Sequence, residues 1–129
     1  MKMYDFIYLT VLCCMITSCR SFVTTTLNAD LFEKTLEQTN DPQLVDVRTP
    51  KEYTEGYLTG AVLMNVKDSS FDSFIQQLDR TRPVFVYCRS GKRSLEAASI
   101  FEKNKFKIVY NLEGGIISWK EKGKIVVSD

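Results

Sequence analysis

The chain has 129 residues, room for one domain and little else, and its 44% hydrophobic and 26% charged content is that of an ordinary globular protein able to build a core without staples. A formal net charge of +1 leaves no global attraction to nucleic acid or to an anionic membrane surface, so any basic feature that matters is local. Histidine is absent, which removes the commonest general base and the commonest zinc ligand; neither a metal site nor a cofactor is expected.

Phe6 to Ile16 is a mostly apolar run behind a short start that carries Lys2. Spanning a bilayer takes about 20 such residues, so the run fits the core of a secretory signal better than a transmembrane helix. It ends in Ile16-Thr17-Ser18-Cys19. This resembles the lipobox of bacterial lipoproteins, in which an aliphatic residue and two small ones precede the cysteine that is lipidated and becomes the mature N-terminus. Residues 1–18 are therefore expected to be a lipoprotein signal peptide and Cys19 the lipidation site. The expected location is the bacterial cell envelope, lipid-anchored, facing the periplasm or the surface. Of the four cysteines, Cys13 and Cys14 would leave with the signal and Cys19 would be capped by lipid. Cys88 is then the only free thiol, a liability in an oxidising compartment unless it is used.

Ser21 to Thr26 is polar and rich in Ser and Thr, so residues 19–27 are expected to form a tether and residues 28–129 the domain. Short apolar runs then alternate with helical patterns. Strands are predicted at Leu44–Val47, Val62–Met64, Val84–Tyr87, Ile108–Tyr110 and Ile125–Val127, each apolar enough to be covered on both faces. Phe32 and Leu36 predict a helix near Asn28–Glu37. Thr49-Pro50-Lys51-Glu52 reads as a helix start, with Thr as N-cap, Pro at the first helical position and Glu closing a capping box. Phe71, Phe74, Ile75 and Leu78 share one helical face, and Ser94 to Lys103 is a further helix with Leu95, Ala98 and Phe101 inward. The alternation predicts an α/β fold of three layers, a central, mostly parallel five-stranded sheet with helices on both faces. In such sheets ligands bind at the carboxyl ends of strands, which points at the residue after Tyr87.

That residue is Cys88. It opens Cys88-Arg89-Ser90-Gly91-Lys92-Arg93-Ser94, a strand end, a short loop and a helix start. A loop of this kind can form a nest of backbone N–H groups that favours negative charge, and three nearby cations reinforce it. Both effects lower a thiol pKa from its free value of about 8.5, so no histidine is required to activate the sulfur. A phosphate-binding P-loop is excluded because the Gly-rich lead-in is missing. Thioredoxin-like redox chemistry is disfavoured because no second cysteine lies two residues away.

The segment resembles the active-site loop of rhodanese-type sulfurtransferases, Cys-x-x-Gly-x-Arg followed by a small hydroxyl residue. Leu44-Val45-Asp46-Val47-Arg48-Thr49-Pro50, then Glu52-Tyr53 and Gly56-Tyr57-Leu58, with Gly60-Ala61, resembles that family's N-terminal signature. Asn111-Leu112-Glu113-Gly114-Gly115-Ile116, then Trp119, resembles its C-terminal one. Tyr57 departs from the pattern, standing where the family usually has His. The resemblance implies a rhodanese fold and makes Cys88 the nucleophile, taking a sulfane sulfur from a small anionic donor such as thiosulfate and passing it, as a persulfide, to a thiol, cyanide or protein acceptor. Arg89, Ser90, Gly91, Lys92, Arg93 and Ser94 would bind the donor, with Arg93 bracing the loop and Arg89 and Lys92 at its mouth. Asp46, Arg48 and Glu52 read as a structural polar network, and Gly114-Gly115 with Trp119 as turn and packing. A monomer is expected, touching the membrane through its lipid alone.

Two other functions fit the same residues. One is a persulfide carrier or binding module with little turnover. The other is a Cys-dependent phosphatase or arsenate reductase, but that chemistry needs Cys-x5-Arg, whereas this chain has Cys-x4-Arg, with Ser94 where that Arg would fall.

Overall fold

The computed structural model describes residues 21–129. The expected signal segment, residues 1–18, and the expected lipidation site Cys19 lie outside the described residues. Five strands and five helices alternate: β1 (Val23–Leu27), α1 (Ala29–Gln38), β2 (Gln43–Asp46), α2 (Pro50–Thr54), β3 (Val62–Leu63), α3 (Phe71–Gln76), β4 (Val84–Tyr87), α4 (Lys92–Lys103), β5 (Ile108–Leu112) and α5 (Gly115–Glu121). The sheet runs β1-β5-β4-β2-β3 and every pairing in it is parallel.

The continuous apolar strands follow from burial on both faces. Along β4, Val84 and Val86 turn toward α3 and α4, where they meet Phe71, Ile75, Ala97, Ala98 and Phe101. Phe85 and Tyr87 turn the other way, toward Phe32 of α1 and Ile116 and Trp119 of α5. All four residues of β4 are fully buried, which makes it the centre of the three layers. Removing a buried aromatic such as Phe85 or Phe101 would cost about 3–5 kcal/mol.

Local signals place the helices. Asn28 caps α1 by accepting from the Leu31 amide at 2.9 Å. The capping box at Thr49 and Glu52 forms as expected, with Pro50 opening α2. α4 begins at Lys92, two residues ahead of its predicted start, and its inner face differs from the predicted stripe. Ser94, Ala97, Ala98 and Phe101 point inward, whereas Leu95 is 52% exposed and not part of the stripe.

Two more expectations are corrected. Residues 23–27 of the expected tether form an edge strand that pairs in register with β5 from Val23 opposite Ile108 to Leu27 opposite Leu112. Threonine reads as polar, but its β-branched side chain favours extended backbone, and an edge strand is free to turn hydroxyls to water. Ile125–Val127 is not a strand of the sheet: Val127 makes one isolated antiparallel bridge with Tyr57, and Ile125 is 75% exposed. Gly114 and Trp119 do serve as turn and packing, and the helix they belong to, α5, is covered by no predicted element; Gly114 is its left-handed cap at φ +71°.

Candidate active site

β4 ends in the core, so Cys88, the next residue, is held at the carboxyl edge of the sheet's most buried strand and is itself 1% exposed. The chain then turns through Arg89 and Ser90 to Gly91, whose φ of +103° is a conformation open mainly to glycine, and enters α4 at Lys92. The turn folds back on the sulfur. The Gly91 amide donates to Cys88 Sγ at 3.0 Å. The thiol donates to Ser94 Oγ at 3.4 Å, and that hydroxyl donates to Gly91 O at 3.0 Å. With the thiol proton gone, the Ser94 hydroxyl can turn to donate to the sulfur.

Burial is the largest single influence on the thiol and pushes its pKa up. The Ser94 hydroxyl and the amides of Ser94, Gly91 and Ser90 together outweigh it, so the net shift is below the ordinary value. The lowering thus comes chiefly from neutral donors fixed by the loop. The three cations expected to act on the sulfur divide into two kinds. Arg93 grips Glu52 of α2 through Nη1–Oε1 at 2.7 Å and Nη2–Oε2 at 2.8 Å, bracing the start of α4. That grip, aided by Thr49 and opposed by burial, holds the Glu52 carboxyl at a pKa of about 2. Arg89 and Lys92 are exposed and take no part in the ion pairs among the described residues. Ser90 is also exposed, while Gly91 and Ser94 are buried.

Asp46 and Arg48 form a second polar cluster beside this one. Arg48 Nη2 lies 2.6 Å from Asp46 Oδ2, and both side chains are buried. Tyr87 donates its hydroxyl to Asp46 at 2.6 Å and accepts from the Leu58 amide at 3.0 Å. Burial, then the Asp46 carboxylate, hold the Tyr87 phenol far above its ordinary pKa, so it stays a donor. Arg48 also reaches Gly56 O at 2.7 Å. Tyr57, at the position that departs from the family pattern, stacks on Tyr53 with ring centroids 4.1 Å apart and donates to Asp129 at 2.7 Å; neither partner is in the loop. Among the described residues no three His, Cys, Asp or Glu side chains gather as a metal ion would need.

One support of the loop has no side-chain signature. The Ile116 amide donates to Cys88 O at 2.9 Å, and the Ile117 amide to Arg89 O at 3.2 Å. The first turn of α5 therefore sits directly on the backbone of the loop. The glycine pair before two isoleucines is its only trace in the sequence.

Residues 28–122 match the family of rhodanese-like domains. The chain belongs to that family. A curated protein from Allochromatium vinosum named sulfurtransferase is 31% identical over 102 residues, which span 79% of this chain and 94% of that one. The thiosulfate sulfurtransferase GlpE of Pseudomonas paraeruginosa is 35% identical over 81 residues, 63% of this chain and 72% of its own. The crystal structure of a rhodanese-related protein from Thermoplasma volcanium superposes with a TM-score of 0.70 at 28% identity, over 81% of this chain and 98% of that one. The rhodanese-like match starts at Asn28, the cap of α1, so β1 stands just ahead of it.

Proposed function

We propose that this rhodanese-like domain is a sulfurtransferase that works through a persulfide on Cys88. The Cys88 thiolate attacks the outer sulfur of thiosulfate; a new S–S bond forms, the old one breaks, and sulfite leaves with the electron pair. A thiolate or cyanide then attacks the terminal sulfur of the persulfide, and the Cys88 thiolate is released. The amides of Ser90, Gly91 and Ser94 and the Ser94 hydroxyl hold the charge on sulfur at both ends of the cycle. Arg89 and Lys92 draw in anionic donors, and Arg93 acts as a brace through Glu52. The observation that carries this reading is the set of donors on Sγ, led by the Gly91 amide at 3.0 Å. A phosphatase is disfavoured on two grounds: the Cys-x4-Arg spacing, and an Arg93 already committed to a carboxylate.

The test is to incubate the purified protein with thiosulfate and weigh it intact. Wild type should gain the mass of one sulfur atom, lost again on adding cyanide, and Cys88→Ala should gain nothing. No gain in wild type, or robust hydrolysis of an aryl phosphate, would overturn the reading. Repeated release of thiocyanate, as against a single loading, separates an enzyme from a carrier.

We also propose that residues 1–18 are a lipoprotein signal and that Cys19 carries the lipid, placing the domain at the bacterial cell envelope. The support is Ile16-Thr17-Ser18-Cys19. Two acyl chains suffice for stable anchoring where one is marginal. With β1 starting at Val23, an anchor at Cys19 leaves only about 14 Å of extended chain before the sheet. The strands are all parallel, so the chain would enter at the end of the sheet opposite Cys88, with the sulfur turned away from the lipid. Cys19→Ala should move the protein from the membrane to the soluble fraction; unchanged partition counts against the anchor.

A further inference from the structure

A trans peptide is planar, with its C=O and N–H pointing in opposite directions. None of the described peptide bonds is cis. Holding the carbonyl of a peptide unit in the loop therefore aims the N–H of the same unit. The Arg89 carbonyl accepts from the Ile117 amide at 3.2 Å, and the amide of that unit is the N–H of Ser90. The Cys88 carbonyl accepts from the Ile116 amide at 2.9 Å, which turns the N–H of Arg89 away from α5. Hydrogen bonds chained through a peptide also polarise one another, so an N–H whose carbonyl is engaged is the better donor.

α5 can approach this closely only because position 115 has no side chain. A Cβ on Gly115 would stand 2.4 Å from Arg89 O and 2.5 Å from Cys88 O, distances at which backbone must move, and its φ is +60°. The same seat reaches the other end of the loop, since a Cβ on Gly91 would stand 3.4 Å from the Gly114 nitrogen. The donor groups involved lie in the first turn of a helix, where N–H groups have no partner within the helix itself. Their partners are the two carbonyls of the loop.

We propose that Gly115, Ile116 and Ile117 are positioning residues, whose backbone holds the Cys88 and Arg89 carbonyls so that the Ser90 amide of the reactive loop faces the sulfur. This rests on the reading of Cys88 as the reacting group. The Ser90 amide is among the donors that favour the thiolate, so loosening the seat of α5 weakens that support.

The experiment compares Ile117→Pro with Ile117→Ala. Both replace a partly exposed side chain, but only proline lacks the N–H given to Arg89 O, and proline is tolerated in a first helical turn. Iodoacetamide alkylation of Cys88 is followed against pH, with sulfur loading from thiosulfate weighed in parallel. The Pro profile should lie at higher pH than the Ala profile, with alkylation about three- to tenfold slower below the midpoint, the effect of one lost hydrogen bond. Coincident profiles overturn the positioning role and leave the sulfurtransferase reading standing. Displaced profiles in a protein whose wild type takes up no sulfur overturn that reading and leave the positioning role standing. Should Ile117→Pro fail to fold, wild type decides: the Ile117 amide resonance should move with pH through the Cys88 midpoint, and a flat signal overturns the proposal.

Discussion

Two polar clusters sit at the carboxyl ends of the neighbouring strands β2 and β4 and are built on opposite plans. Around Asp46, charge is answered by charge: the carboxylate takes the Arg48 guanidinium and the Tyr87 hydroxyl, and all three side chains are buried. Around Cys88, the sulfur meets neutral donors, Arg93 is taken by Glu52, and Arg89 and Lys92 stay exposed. A closed pair has little left to offer a ligand. A sulfur surrounded by donors, with exposed cations nearby that take no ion-pair partner among the described residues, suits the anionic donor proposed above. The first cluster should therefore serve stability and the second reactivity, and the two should come apart under mutation.

The largest expected effect is on reactivity. Cys88→Ala should abolish sulfur loading, as read by intact mass, while lowering unfolding free energy in urea by only about 1–2 kcal/mol. Arg48→Met should do the reverse. Breaking a buried ion pair from one side costs about 3–5 kcal/mol, because the remaining charge is left uncompensated. The fraction of Arg48→Met that stays folded should still load sulfur at close to the wild-type rate. If it folds normally and loads none, the division between the clusters fails.

The second effect concerns the brace between α2 and α4. The folded-state pKa of Glu52 lies at about 2, below its ordinary value of 4.5. A depressed carboxylate contributes stability above its unfolded value and loses it as pH falls through the folded one. Between about pH 4.5 and 2, wild type should lose roughly 1–2 kcal/mol that Glu52→Gln never had, a figure reduced for the solvent that reaches the pair. Chemical denaturation at a series of pH values checks this; parallel curves for the two proteins would remove Arg93 as a brace.

These contrasts also show where the sequence was readable. Cys88 to Ser94 is contiguous and its character resides in residue types, so the cysteine at the strand end, the glycine turn and the flanking cations could be read directly. The loop and the two flanking signatures likewise pointed to the fold, and the capping box at Thr49 was visible because it depends on two side chains at fixed spacing. What stayed hidden depends on backbone or on tertiary setting. The amides of Ile116 and Ile117 carry no side-chain signal, so the seat of α5 on the loop was read only as a turn. β1 was hidden because threonine's polarity masks its preference for extended backbone. Leu95 was placed inward because it is apolar, whereas the buried face runs through Ser94, whose hydroxyl finds its partners in the loop.

The smallest effect tests the exposed cations. Arg89→Gln with Lys92→Gln should slow loading by thiosulfate several-fold at low ionic strength and flatten its dependence on salt, since exposed charges act through a screened field. The Cys88 midpoint should move little, because amides and a hydroxyl are the main support of the thiolate. A large rise in that midpoint would transfer the credit from backbone to side chains.

The most direct measurement is the rate of iodoacetamide alkylation of wild-type Cys88 against pH. A thiolate held by the Ser94 hydroxyl and the loop amides predicts a midpoint clearly below that of an ordinary free thiol. A midpoint at or above the ordinary value would show that burial wins over the loop's donors, and Cys88 would then be a buried thiol with no activation of its own.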